Sequence, residues 1–131
     1  LWKSIYEFEG SYHVDAIRLS LNPHFCPGQK LKKLDLKIDM KDIDKNSQQA
    51  LDVERFREFS GGYLSFNPDQ KLVIDARYSL VPNQISPLWG IIINPQKKIN
   101  EHVEWWKNET PNENQISDFL RLLYGDDCYK L

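Results

Sequence analysis

The stretch that decides the fold runs from Phe56 to Ile93 and reads FREFSGGYLSFNPDQKLVIDARYSLVPNQISPLWGIII. Tyr63–Phe66 and Leu72–Tyr78 have strand chemistry and flank Asn67-Pro68-Asp69-Gln70, a turn between antiparallel neighbours. A loop from Val81 to Pro87 leads to Leu88–Ile93, apolar enough for an inner strand. In the second strand Leu72, Ile74, Ala76 and Tyr78 point one way and are expected to face a core. Val73, Asp75 and Arg77 point the other way, with an acid and a base two residues apart.

Outward from this nucleus, Trp2, Ser4, Tyr6 and Phe8 alternate with Lys3, Ile5 and Glu7 as in a half-buried strand. Glu9-Gly10-Ser11 turns it into a return strand over 12–21 that ends at Asn22-Pro23. Leu34, Leu36 and Ile38 alternate with charged residues, which predicts a short edge strand. Asn46 or Ser47 caps a turn through Leu51, and Asp52 caps a stretch with Val53, Phe56 and Phe59 at helical spacing, stopped by Gly61-Gly62. Phe56 and Phe59 are expected to anchor that helix. Over 97–108 the pattern fits either a strand or a helix, and adjacent Trp105 and Trp106 favour a strand over 102–107. Gln115–Tyr124 sets Ile116, Phe119, Leu120, Leu122 and Leu123 on one broad helical face, stopped by Gly125. The expected architecture is α+β, a mostly antiparallel sheet of about five to six strands with two helices packed on one face.

The 131 residues fit one domain, 1–131, able to build a core without staples. A composition 40% hydrophobic and 27% charged, with net charge −2, is ordinary for a globular chain and gives no bulk attraction to nucleic acid. Cys26 and Cys128 pair only if the fold brings their Cα atoms within roughly 7 Å. A domain of this size has no need of the bond, so Cys26 is expected as a small buried thiol. No apolar run reaches transmembrane length. The start on Leu1, directly in a strand, suggests a piece of a longer protein.

Chemistry is sparse. His13 and Asp15 share a strand face, and His24 with Cys26 repeats the spacing, but no zinc-binding pattern surrounds either pair, so no metal ligand is assigned. Ser79 lacks a nucleophile elbow, and Asp15, Asp75, Asp126 and Asp127 form no recognisable acid–base pattern. The best candidate constellation is Asp75, Arg77, Asn83, Gln84 and Trp89. An arginine fork and an indole wall there suit an anionic group or another part of the protein, and Arg77 is expected to fork onto loop carbonyls between Ser79 and Pro87 or onto an anionic ligand; the alternative is that Asp75 and Arg77 form an ion pair holding the loop. The four tryptophans and six tyrosines offer a second surface, a membrane-boundary belt near Lys97-Lys98, although core packing explains most of them.

The strings GGYLSF, DARYSLVPNQISPLWGI and LWKSIYEFEGSYHVDAIR resemble the soluble C-terminal region of the YdjM-like family of membrane-bound metal-dependent hydrolases. The resemblance covers about residues 1 to 93. It implies an accessory domain, membrane-associated through missing segments and partnered by its own membrane domain, with a divalent metal held upstream and no cofactor in these residues. The family's histidines have no counterpart here. The alternative is a non-catalytic module that recognises a protein or an anionic lipid headgroup, using Asp75, Arg77 and Trp89 and, at the margin, His13 and Asp15.

Overall fold

The computed structural model describes residues 1–126 and 128–131. Asp127 lies outside the described residues. The α+β, mostly antiparallel character is observed, with nine strands in sheets of five and four and three helices among the described residues.

The first sheet grows from the hairpin of β1 (Trp2–Phe8) and β2 (Ser11–Arg18), with Tyr6 opposite His13 and Trp2 opposite Ile17. β2 ends at Arg18, so Leu19 to Leu21 leave the ladder. Its other edge is shared by β3 (His24–Cys26) and β4 (Lys30–Lys32). They behave as one strand interrupted by a bulge at Pro27–Gln29. Gly28 sits in that bulge because a Cβ there would lie 2.1 Å from the Val14 carbonyl oxygen and 2.2 Å from that of Asn83. The expected edge strand over 34–38 is instead the one-turn helix α1 (Leu36–Asp39). The Asp35 carboxylate accepts from the Lys37 and Ile38 amides and so closes a turn.

α2 (Gln48–Phe59) is one continuous helix capped by Ser47, whose hydroxyl accepts from the Ala50 amide. It packs on the second sheet, β5 (Leu64–Asn67), β6 (Leu72–Asp75), β7 (Trp89–Ile92) and β8 (Glu104–Lys107), joined in that order. Val53 and Phe56 meet Leu64, Val73, Ile91 and Ile93 there. Both faces of β6 are covered, so Val73 belongs to the helix-side core together with the outward-assigned Asp75, and Leu72 and Ile74 are buried on the other face. Phe59 corrects a second expectation. It is 62% exposed, lying flat on Phe56 at 6.3 Å, whereas Phe56 is 6% exposed.

α3 (Glu113–Tyr124) has an Asn112–Gln115 capping box and ends at Gly125 in the left-handed region, φ 83°. Only Leu122 of its apolar face is buried, against Ala16, Cys26 and Val81, while Ile116, Leu120 and Leu123 stay exposed. β9 (Tyr129–Lys130) then pairs with β3, and Cys128 is bonded to Cys26 across Cα atoms 4.2 Å apart. Cys26 is therefore not a free thiol. The bond has a local reason, since a two-residue strand cannot hold itself to a sheet. No helix among the described residues is long and apolar enough to cross a membrane.

Burial separates the two phenylalanines of α2. Phe56→Ala should cost about 3 to 5 kcal/mol, whereas Phe59→Ala should cost less than about 1 kcal/mol, both read from urea denaturation midpoints. Equal losses would contradict this packing.

Candidate functional site

Asp75 and Arg77 are brought together, but as a clamp facing inward. Asp75 is 1% exposed. Arg77 Nε donates to its Oδ1 at 3.0 Å, Nη2 to its Oδ2 at 2.8 Å, and the Arg77 amide to Oδ1 at 3.1 Å. That last bond turns the chain and ends β6. The same Nη2 donates to the Phe59 carbonyl at 3.0 Å, so the guanidinium ties the end of α2 to the sheet. Its charge is further held over the rings of Tyr78 at 4.9 Å and Phe59 at 5.9 Å. Arg77 therefore does not reach the loop carbonyls of 79–87.

Lys3 approaches this clamp from β1. Its Nζ donates to Ser79 Oγ at 2.8 Å, and that hydroxyl donates to the Val81 carbonyl at 2.8 Å. Burial lowers the Lys3 pKa to about 8, against an opposing pull from the Asp75 carboxylate. A serine beside a lysine of lowered pKa has the makings of a nucleophile and base. Here the proton relay runs the other way, from ammonium to hydroxyl to carbonyl, and the serine proton is already committed.

The remaining candidates hold other parts of the fold. Asn83 Nδ2 donates to the Pro27 carbonyl at 2.9 Å, and Gln84 Nε2 to Asp118 Oδ2 at 2.6 Å, bolting the loop to the bulge and to α3. Trp89 packs into the α2 core and lies against Tyr78 at 5.0 Å. His13 stacks on Tyr6 at 5.0 Å, and Asp15 Oδ1 accepts from the Gly28 amide at 2.9 Å, fixing the bulge. His13 and Asp15 share a face as expected without converging on a common point. Among the described residues no group of three or more His, Cys, Asp or Glu side chains is placed to hold a metal ion. A cavity of about 370 Å³ between α1 and α2 is lined by Met40, Ile43, Ala50 and Val53, with Lys37 and Lys41. Lys45 and Glu54 complete its polar side.

Sequence reasoning missed the surface that stands out. At the end of the first sheet where β2 passes into β3, the register aligns Trp2, Ile17, Phe25 and Tyr129 across four strands. Leu19 and Leu21 occupy the connection at that end, and Leu131 follows Tyr129, held by its amide on the Pro23 carbonyl at 2.9 Å. Trp2, Leu19, Tyr129 and Leu131 are between 63% and 69% exposed, and Leu21 is fully exposed. The available signal was Leu19-Ser20-Leu21 immediately before Asn22-Pro23, apolar residues where a turn was due. No protein-family model, curated protein or solved structure matches this chain.

Two outcomes follow from the clamp and its neighbour. Arg77→Ala leaves Asp75 buried without its counter-charge and should lower stability by about 3 to 5 kcal/mol. Arg77→Lys should recover only part of that loss, because one ammonium cannot serve both carboxylate oxygens and the Phe59 carbonyl. Full recovery by lysine, measured by urea denaturation, would contradict the fork. Lys3, observed by nuclear magnetic resonance after ¹³C-dimethylation, should titrate near pH 8, well below exposed lysines. With the folded value lowered, the penalty of burying the charge is fully present below pH 8 and fades as pH rises toward the unfolded value. Titration alongside the surface lysines would show that Lys3 is solvated.

Proposed function

We propose that this domain is a non-catalytic interaction module whose contact surface is the apolar end of the five-stranded sheet. The observation that carries the reading is the concentration of Trp2, Leu19, Leu21, Tyr129 and Leu131 at one end of one sheet, all exposed. Scattered apolar residues are normal on protein surfaces, but a contiguous group of them marks a surface that meets something. The polar residues best suited to chemistry have structural work already. Asp75 and Arg77 clamp α2, Lys3 and Ser79 form a donor chain, and Asn83 and Gln84 bolt the loop.

As a wider setting we propose an accessory role beside a membrane-bound metal-dependent hydrolase, the divalent metal being held upstream. The support for this is the resemblance of the motifs in residues 1 to 93.

The contact surface is tested by site-specific photocrosslinking in cells. A benzophenone side chain at position 21 should give a defined adduct, protein or lipid, while the same group at Gln70, at the exposed tip of the β5–β6 turn, should give none. Equal labelling at both positions, or none at 21, would overturn the reading.

A further inference from the structure

The apolar end carries a second feature that points to the chemistry of its partner. Arg18, His24 and Lys130 are register partners across β2, β3 and β9, standing abreast at strand spacing, about 4.8 Å. None of the three forms an ion pair among the described residues. His24 Nδ1 is buried without a hydrogen-bond partner. Arg18 and Lys130 thus stand as two cations on either side of His24, and an anion laid across this row can meet both. The next register is the apolar row Trp2, Ile17, Phe25 and Tyr129. Because consecutive strand residues point to opposite faces, the basic row and the apolar row emerge on the two sides of one sheet end, with Leu19, Leu21 and Leu131 at its tip.

We propose that this end docks on the surface of an anionic lipid bilayer. The inference rests on the interaction-module reading and names the partner of that same surface. Leu19 and Leu21 enter the boundary of the acyl region, Arg18 and Lys130, one register behind that tip, extend to the lipid phosphates, and Trp2 and Tyr129, one register further along the strands, lie at headgroup level. An apolar tip with cations one register behind it and amphipathic rings one register further matches what a bilayer boundary offers, because long basic side chains reach back to the phosphates. A protein partner would be met by a packed patch or pocket, whereas Leu21 projects fully exposed from a connection. A nucleic acid would ask for a longer basic track than one arginine and one lysine in a chain of net charge −2.

The test is co-sedimentation of the purified, oxidised domain with vesicles of phosphatidylcholine alone and with about one-third phosphatidylserine. Binding should require phosphatidylserine and weaken with salt. Lys130→Gln should weaken it about fivefold, the worth of one cation near an anionic surface. Leu21→Ser should weaken it about tenfold or more, the worth of one buried leucine side chain, with an unchanged thermal midpoint because Leu21 is exposed in the free domain. Absence of sedimentation, equal binding to both vesicles, or variants that bind as the original does would each overturn the bilayer proposal. If sedimentation fails while the adduct at position 21 persists and is a protein, the interaction module stands with a protein partner. If both fail, both readings fall.

Discussion

The proposed contact surface depends on the covalent bond between Cys26 and Cys128. β9 contributes only two residues to the ladder, against His24 and Phe25 of β3, and a strand that short does not hold its place by hydrogen bonding alone. The bond closes a loop with a sequence separation of 102, removing freedom from the unfolded chain on the order of 4 to 5 kcal/mol. It also fixes the end of α3, whose buried Leu122 joins Ala16, Cys26 and Val81 in one cluster. Tyr129, Lys130 and Leu131 reach the sheet end because this anchor lies one residue before them.

A different solution holds the other half. The four-stranded sheet and α2 pack through Val53, Phe56, Val73 and Ile91, and Asp75 adds a buried carboxylate to that half. A buried carboxylate is costly unless every lone pair finds a donor, and Arg77 supplies three donors of its own, counting its amide. Its remaining reach, to the Phe59 carbonyl, sets where the helix stops relative to the strand. The two sheets are tied at Lys33 and Ser65, where a single bridge is backed by the Ser65 hydroxyl donating to the Lys32 carbonyl at 2.6 Å. The disulfide thus secures the five-stranded sheet and the clamp secures the four-stranded sheet with α2.

Local features of the fold were legible in the sequence. The hairpins β1–β2 and β5–β6, the Ser47 cap of α2, the stop at Gly125 and the strand at 104–107 follow from turn residues and spacing that act within a few positions, whereas the Asn112 cap of α3 was not read. What escaped was set by distant partners. β3, β4 and β9 are two or three residues long and exist because β2 and the disulfide recruit them. Alternation along β6 separated two faces correctly but could not show that both are buried, so Asp75 and Arg77 were read as a surface. In β1 the same alternation set Trp2, Tyr6 and Phe8 together, and only the tertiary structure shows that they stay largely exposed, with Tyr6 and Phe8 against His13. The basic row is invisible in sequence, since Arg18, His24 and Lys130 become neighbours through pairing alone.

The dependence of the sheet end on the disulfide can be measured by amide hydrogen exchange with and without reductant. On reduction the Leu131 amide, bonded to the Pro23 carbonyl, and the amides of β9 should lose protection, while those of Val73 and Ile91 in the α2 core keep theirs. Unchanged protection at Leu131 in the reduced protein would show that β9 is held without the bond. Simultaneous loss of protection at Val73 and Ile91 would show that the two halves stand or fall together, and either result would contradict the account.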